Sequence, residues 1–203
     1  GVGFYQSTTH EGRRWSSAQA FLRKAEKRPN LTIRTQTRVA KVLFQGTTAS
    51  GVLLEDGTRI TARREVVLCA GAIETPRLLQ LSGVGPGAHL ASHGIQVVAD
   101  LPSVGENYQD HLESTVQGET RDPISLFGED KGLKAARHFL QYLTTRTGLM
   151  TSNVVECGGF ADVSGMGQPD VQFHVLPFMV GWADRAPIER HGIAIGPCFL
   201  RPK

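Results

Sequence analysis

The stretch Val66-Val-Leu-Cys-Ala-Gly-Ala-Ile-Glu-Thr-Pro-Arg-Leu-Leu-Gln-Leu-Ser-Gly-Val-Gly85 decides the architecture. Glu65 to Cys69 is short and apolar, as a strand buried on both faces of a parallel sheet is. The run breaks at three small residues, Ala70, Gly71 and Ala72. Thr75 then reads as the N-cap and Pro76 as the first residue of a helix reaching Leu81. A strand, a small-residue turn and a helix together let a backbone approach a dinucleotide closely. Small side chains leave room, and the helix N-terminus offers unpaired N–H groups at the positive end of its dipole. The same arrangement also serves plain strand–helix packing, so these residues alone leave both readings open.

Outward from this stretch, turn and β signals come first. Ser16 and Gln19 form a capping-box pattern before a helix expected over 17–27, which Pro29 stops. Residues 31–44 are rich in β-branched side chains but too long for one ordinary strand, so a bend is expected near Gln36–Arg38. Ser50–Glu55 and Arg59–Ala62 flank Asp56-Gly57, a hairpin signal with a type I′ turn expected. A short helix is expected over 88–93, closing on Gly94. After Asp110 the character changes: residues 112–127 read as extended, and 131–146 carry apolar residues at helical spacing. Apolar runs at 154–163 and 171–178 read as strands. A domain junction is placed near residue 110.

Composition excludes several classes. The chain has 203 residues, 40% hydrophobic and 20% charged, with 23 Gly and 10 Pro, which suits a turn-rich globular chain rather than a coiled coil or a disordered tail. No run approaches the ~18 apolar residues that span a bilayer, and residues 1–25 hold no signal-peptide core. Cys69, Cys157 and Cys198 are odd in number and widely spaced, which suits free buried thiols in a reducing compartment. Residues 1–64 carry 12 Lys/Arg against 4 Asp/Glu, but scattered rather than striped, so no nucleic-acid partner is expected.

Two motif-like features fail on context. Gly83-Val-Gly85-Pro-Gly-Ala88 has G-x-G-x-x-A spacing, but a helix rather than a strand precedes it, so its glycines read as a helix stop and turn. His89 and His93 sit four apart without a third ligand of suitable spacing, so no metal is expected. There is no G-x-S-x-G elbow, no phosphate-binding G-x-x-x-x-G-K-[ST] loop and no C-x-x-C pair.

The segment Gly71-Ala-Ile-Glu-Thr-Pro-Arg-Leu-Leu-Gln-Leu-Ser-Gly-Val-Gly85 resembles the second signature of the glucose-methanol-choline (GMC) family of FAD-dependent oxidoreductases. Leu101-Pro-Ser-Val-Gly-Glu-Asn-Tyr-Gln-Asp-His-Leu112 is similar to another family segment, with Tyr108 where Leu is usual. Gly12-Arg-Arg-Trp-Ser-Ser-Ala18 and Leu149-Met-Thr-Ser-Asn-Val-Val-Glu-Cys-Gly-Gly-Phe160 agree as well. Within the family the likeness is to bacterial alcohol dehydrogenases acting on an electron acceptor and to choline dehydrogenases.

The resemblance implies a mixed α/β and α+β fold. Residues 1–110 supply part of a Rossmann-like FAD-binding domain with a β-meander, and 111–203 part of an antiparallel-sheet substrate domain. It implies FAD as cofactor, a primary alcohol oxidised to an aldehyde, and a quinone or dye-like acceptor; choline is the alternative substrate. Family members are longer, so a central fragment is expected, inactive alone and weak or lacking in FAD binding. Neither the G-x-G-x-x-G unit nor the catalytic His is expected within these residues. Cofactor contacts are implied at Val39, Ala70, Gly71, Ala72 and Asn107, with Gln109 and Asp110 beside the last. Substrate contacts are implied at Asn153 and Glu156, either directly or as structural hydrogen-bonding groups. His111, His138, His174 and His191 match no catalytic base. The resemblance implies a cytoplasmic setting, with peripheral attachment to the inner membrane left open. An unpaired Val66–Cys69 strand would favour self-association or a complementary chain.

Overall fold

The computed structural model describes residues 1–181, 186 and 188–201. These form two compact units: Gly1–Leu31 with Asp110–Lys203, and Thr32–Gln109. The first unit opens with β1 (Val2–Phe4) and a small hairpin of β2 (Thr9–His10) and β3 (Arg13–Arg14). A wide π turn over Ala18–Leu22 leads into α1 (Arg23–Ala25). Half of the expected capping box forms: the Gln19 N–H donates to Ser16 Oγ at 3.4 Å.

The second unit begins with a meander. β4 (Val39–Gln45), β5 (Thr48–Leu54) and β6 (Arg59–Thr61) pair antiparallel in that order. The long β-branched run bends where expected, with Gln36 at φ +52° and the strand starting at Val39. The hairpin at Asp56-Gly57 is present, but its turn is not type I′. Only Gly57 takes positive φ (+85°), and its N–H donates to Leu54 C=O at 3.0 Å while the Leu54 N–H donates to Thr58 C=O at 2.9 Å. That is a three-residue loop closed by a left-handed glycine, in which Asp56 Oδ1 accepts the Thr58 N–H at 2.8 Å.

Val66–Cys69 is not a strand. A parallel strand needs ladder partners beside it, and no described strand pairs with this segment; Val67 is exposed. The unpaired strand edge expected there is therefore absent, because the segment is not a strand. The helix that follows starts earlier than Thr75: α2 spans Gly71–Leu81, with Pro76 inside it. Thr75 is not the N-cap. Its Oγ1 instead accepts the Ala70 N–H at 3.1 Å, which closes the turn entering the helix. Beyond α2, β7 (Val84–Gly85) pairs parallel with β8 (Ala99–Asp100), with α3 (Gly87–Ser92) between them. Gly83 and Gly94 act as helix stops at φ +89° and +69°. Val42, Leu54, Val84 and Leu90 form the buried core of this unit.

The chain then returns to the first unit. β9 (Leu112–Glu113), β10 (Val116–Glu119), α4 (Gly132–Thr145), β11 (Cys157–Ala161), β12 (Val171–Leu176) and β13 (Gly192–Phe199) follow. The sheet runs β1-β11-β12-β13-β10, with β9 also on β13, and every pairing is antiparallel. Residues 1–31 thus group with 110–203 because β1 is an edge strand of that sheet. The chain passes from the second unit back to the first between Gln109 and Asp110. Gly158 leaves space for Tyr5, whose hydroxyl donates to Phe173 C=O at 2.6 Å. Buried Met179, Ala194 and Cys198 mark the core.

All three cysteines are free, but only Cys198 is buried; Cys69 is exposed and Cys157 half-buried. No described helix is long and apolar enough to cross a membrane.

Candidate functional site

In the second unit, α2 places the small-residue turn. Ala70 is its N-cap, and Gly71 and Ala72 are its first residues, all exposed. Gly71 takes φ +85°, where a side chain is strained, and the space around it is open. The turn expected between strand and helix is therefore the helix's own first turn. Its leading N–H groups have no intrahelical acceptor, which suits an anionic oxygen.

The helix is anchored at its far end. Ser82 Oγ, buried, accepts the Val42 N–H at 2.8 Å and donates to Leu78 C=O at 2.5 Å, tying β4 to α2. Gln80 Nε2 donates to Val104 C=O at 2.8 Å, fixing the loop that carries Asn107. Gly105, at φ +90°, lets that loop pass close to Gln80.

A concavity of about 720 Å³ lies between α2 and this loop, lined by Ala72, Pro76, Gln80, Asn107 and their neighbours. It brings Ala72 and Asn107 together. Val39, Ala70 and Gly71 do not line it. Val39 begins β4 opposite Leu54, half-buried. Asn107 takes φ +57°, and its Oδ1 accepts Gln109 Nε2 at 3.1 Å. Asp110 Oδ1 accepts the His111 N–H at 2.8 Å.

In the first unit, Asn153 and Glu156 are exposed. Glu156 fixes β1 through its backbone, its C=O accepting the Tyr5 N–H at 2.8 Å. Its carboxylate takes no hydrogen bond from any described residue. Neither residue lines the apolar cavity of about 660 Å³ formed under α4 by Phe127, Phe139, Leu149, Met150, Phe178 and Ile188, among others.

That cavity was not legible as a site, although its rim holds the densest charge network among the described residues of the unit. Glu129 Oε1 accepts Lys134 Nζ at 2.8 Å, and Glu129 Oε2 lies 2.7 Å from His138 Nε2. The hydrogen bonds from Lys134 and then His138 hold its carboxyl at about 2, well below the carboxylate range. Lys131 Nζ donates to Glu189 Oε1 at 2.7 Å, which raises Lys131 and lowers Glu189. The helical spacing of Ala135, His138 and Phe139 on α4 was the available signal, but the Phe178 and Ile188 walls arrive from distant sequence.

Two further histidines have side-chain partners. His191 Nδ1 lies 2.9 Å from Ser125 Oγ, and His174 Nδ1 lies 3.5 Å from Glu113 Oε1. Burial, with smaller effects from Glu113 and Asp110, pushes the Cys198 thiol up and keeps it protonated.

Residues 1–113 match the family model described as GMC oxidoreductase. The chain belongs to the GMC oxidoreductase family. An oxygen-dependent choline dehydrogenase of Brucella canis is 41% identical over 203 residues, covering 97% of this chain and 37% of that protein. An alcohol dehydrogenase [acceptor] of Pseudomonas putida is 42% identical over 213 residues, covering 100% of this chain and 38% of that one. This GMC chain therefore spans less than two-fifths of the curated relatives it matches. Among solved structures, formate oxidase of Aspergillus oryzae, studied for its FAD modification, superposes with a TM-score of 0.83 at 25% identity, over 97% of this chain and 39% of that one. Pyridoxine 4-oxidase of Mesorbium loti does so with a TM-score of 0.77 at 25% identity, over 100% and 37%. The mixed α/β architecture with antiparallel sheets is that of these enzymes.

Proposed function

We propose that this chain serves the FAD-dependent oxidation of a primary alcohol to an aldehyde. The observation that carries the reading is the first turn of α2, within a chain of GMC sequence. Exposed Ala70, Gly71 and Ala72 leave the helix N-terminus open, and a Cβ at Gly71 would meet nothing within 4 Å. A dinucleotide phosphate fits such a terminus. When bound, FAD supplies the two-electron acceptor: the alcohol gives up a hydride from carbon and a proton from oxygen. On this reading Gly71 and Ala72 admit the cofactor by their small size. Val39 contacts adenine through its backbone, and Asn107, held on its loop by Gln80, borders the same side of α2. A quinone or dye-like acceptor takes the electrons onward, in line with the name of the Pseudomonas relative. Self-association is assigned to β1, whose outer edge pairs with no described strand.

One observation favours choline as a second reading. The exposed Glu156 carboxylate is uncommitted and could face a quaternary ammonium, with Asn153 close by in sequence. The test is a substrate panel on the protein as its gene encodes it, supplied with FAD and an artificial electron acceptor. Dye reduction with simple primary alcohols, and little with choline, is expected; no flavin-dependent reduction with either would refute both readings.

A further inference from the structure

We propose that Gln80 is a positioning residue for the cofactor site: seated in a slot between Gly85 and Gly105, its amide sets where the loop bearing Asn107 stands over α2. This rests on the FAD reading above and names the residue that fixes the far wall of that site. Ala72, Pro76 and Gln80 lie four apart on α2 and form one row along it, and all three line the concavity of about 720 Å³. The row runs from the first turn of the helix to Gln80, over about 12 Å. Asn107 lines the same concavity from the loop opposite. All of these residues belong to the second unit, Thr32–Gln109.

The slot holds the side chain from two sides. A Cβ at Gly85 would come within 2.9 Å of Gln80 Cγ, and one at Gly105 within 2.5 Å of Gln80 Nε2. Both backbones approach the side chain as only glycine allows. Half-buried Gln80 crosses between them and donates from Nε2 to Val104 C=O at 2.8 Å. The start of the loop is tied to the same Gly85, whose C=O accepts the Leu101 N–H at 2.9 Å. Turn bonds from the Val104 N–H to Leu101 C=O at 3.1 Å, and from the Glu106 N–H to Ser103 C=O at 3.2 Å, carry the geometry on to Asn107. Asn107 is exposed and left-handed at φ +57°, a conformation that a free loop rarely holds. Ordering it beforehand removes a conformational-entropy cost from cofactor binding. Glutamate has the same length but, ionised, would turn an acceptor toward the Val104 C=O.

Because Gln80 acts through Asn107, a double-mutant cycle in FAD affinity reads the role. Titration calorimetry with FAD, on the protein as its gene encodes it, is the measurement. Gln80→Met keeps the length, loses the donor and should weaken FAD about three- to tenfold. Gln80→Glu, a second loss of the same donor, should do likewise. Asn107→Gly, which keeps the left-handed backbone, should weaken FAD by at least as much. Gln80→Met combined with Asn107→Gly should then be no weaker than Asn107→Gly alone. Without FAD, amide exchange at Val104 and Glu106 should quicken about three- to tenfold in Gln80→Met. FAD affinity unchanged in both Gln80 variants, or losses that simply add in the double variant, would overturn the proposal. No FAD binding by the wild type would refute the FAD reading itself and, with it, the positioning role.

Discussion

At the scale of single residues, Ser82 carries more than its size suggests. It satisfies a buried strand N–H and a helix carbonyl at once. Ser82→Ala leaves the Val42 N–H without its acceptor, which costs about 1–3 kcal/mol; urea unfolding should show the free energy of unfolding fall by that amount, with a lower midpoint. Glu129 makes a pH-dependent contribution. Its carboxyl is held at about 2 in the folded chain against an ordinary value of 4.5. The stabilisation from Lys134 and His138 is therefore complete above about 4.5 and disappears as the pH falls toward 2. Glu129→Gln should lower the melting temperature near neutral pH, and the gap between wild type and variant should narrow over that acid window. A gap that stays constant into acid would contradict the assignment. Gly71→Ala places a side chain at φ +85° and should cost about 1–2 kcal/mol in the same unfolding measurement.

At the scale of elements, Pro76 sits mid-way along α2, where it removes one helix hydrogen bond. If packing were its only role, Pro76→Ala would stabilise the helix by as much as about 3 kcal/mol. Because Pro76 also lines the concavity beside Asn107, the prediction is a higher melting temperature together with weaker FAD binding. Equal FAD affinity would leave Pro76 no part in the site. The same helix shows where local signals mislead: Thr75-Pro76 has the chemistry of a helix start, yet α2 begins at Gly71, with Ala70 held by Thr75 from inside the helix. Local signals succeeded where a turn or spacing is self-contained, as in the Asp56-Gly57 hairpin, the Gly94 stop and α4. They failed at Val66–Cys69 because a strand is defined by its neighbours. They also passed over β13, the longest strand. Its alternation of buried and exposed residues was masked by Pro197, which ordinarily argues against an inner strand. The structure tolerates it because Pro197 lies opposite Ser114, between β9 and β10. There its C=O accepts the Ser114 N–H at 3.2 Å and the ladder is already interrupted.

At the scale of the whole molecule, the family was legible because Gly71–Gly85 and Leu101–Leu112 are long, ordered patterns. The grouping into units was not, because it depends on β1 joining a sheet whose other strands lie more than a hundred residues away. Nor was the α4 cavity, whose walls are likewise scattered along the chain. On the function proposed here, the first turn of α2 receives the cofactor. Amide hydrogen exchange of the protein as encoded, followed with and without FAD, tests it most directly. Amides 71–73 should exchange about tenfold or more slowly when FAD is bound, as orphan N–H groups acquire phosphate acceptors. Saturating FAD that leaves those amides unchanged while protecting others would contradict the claim.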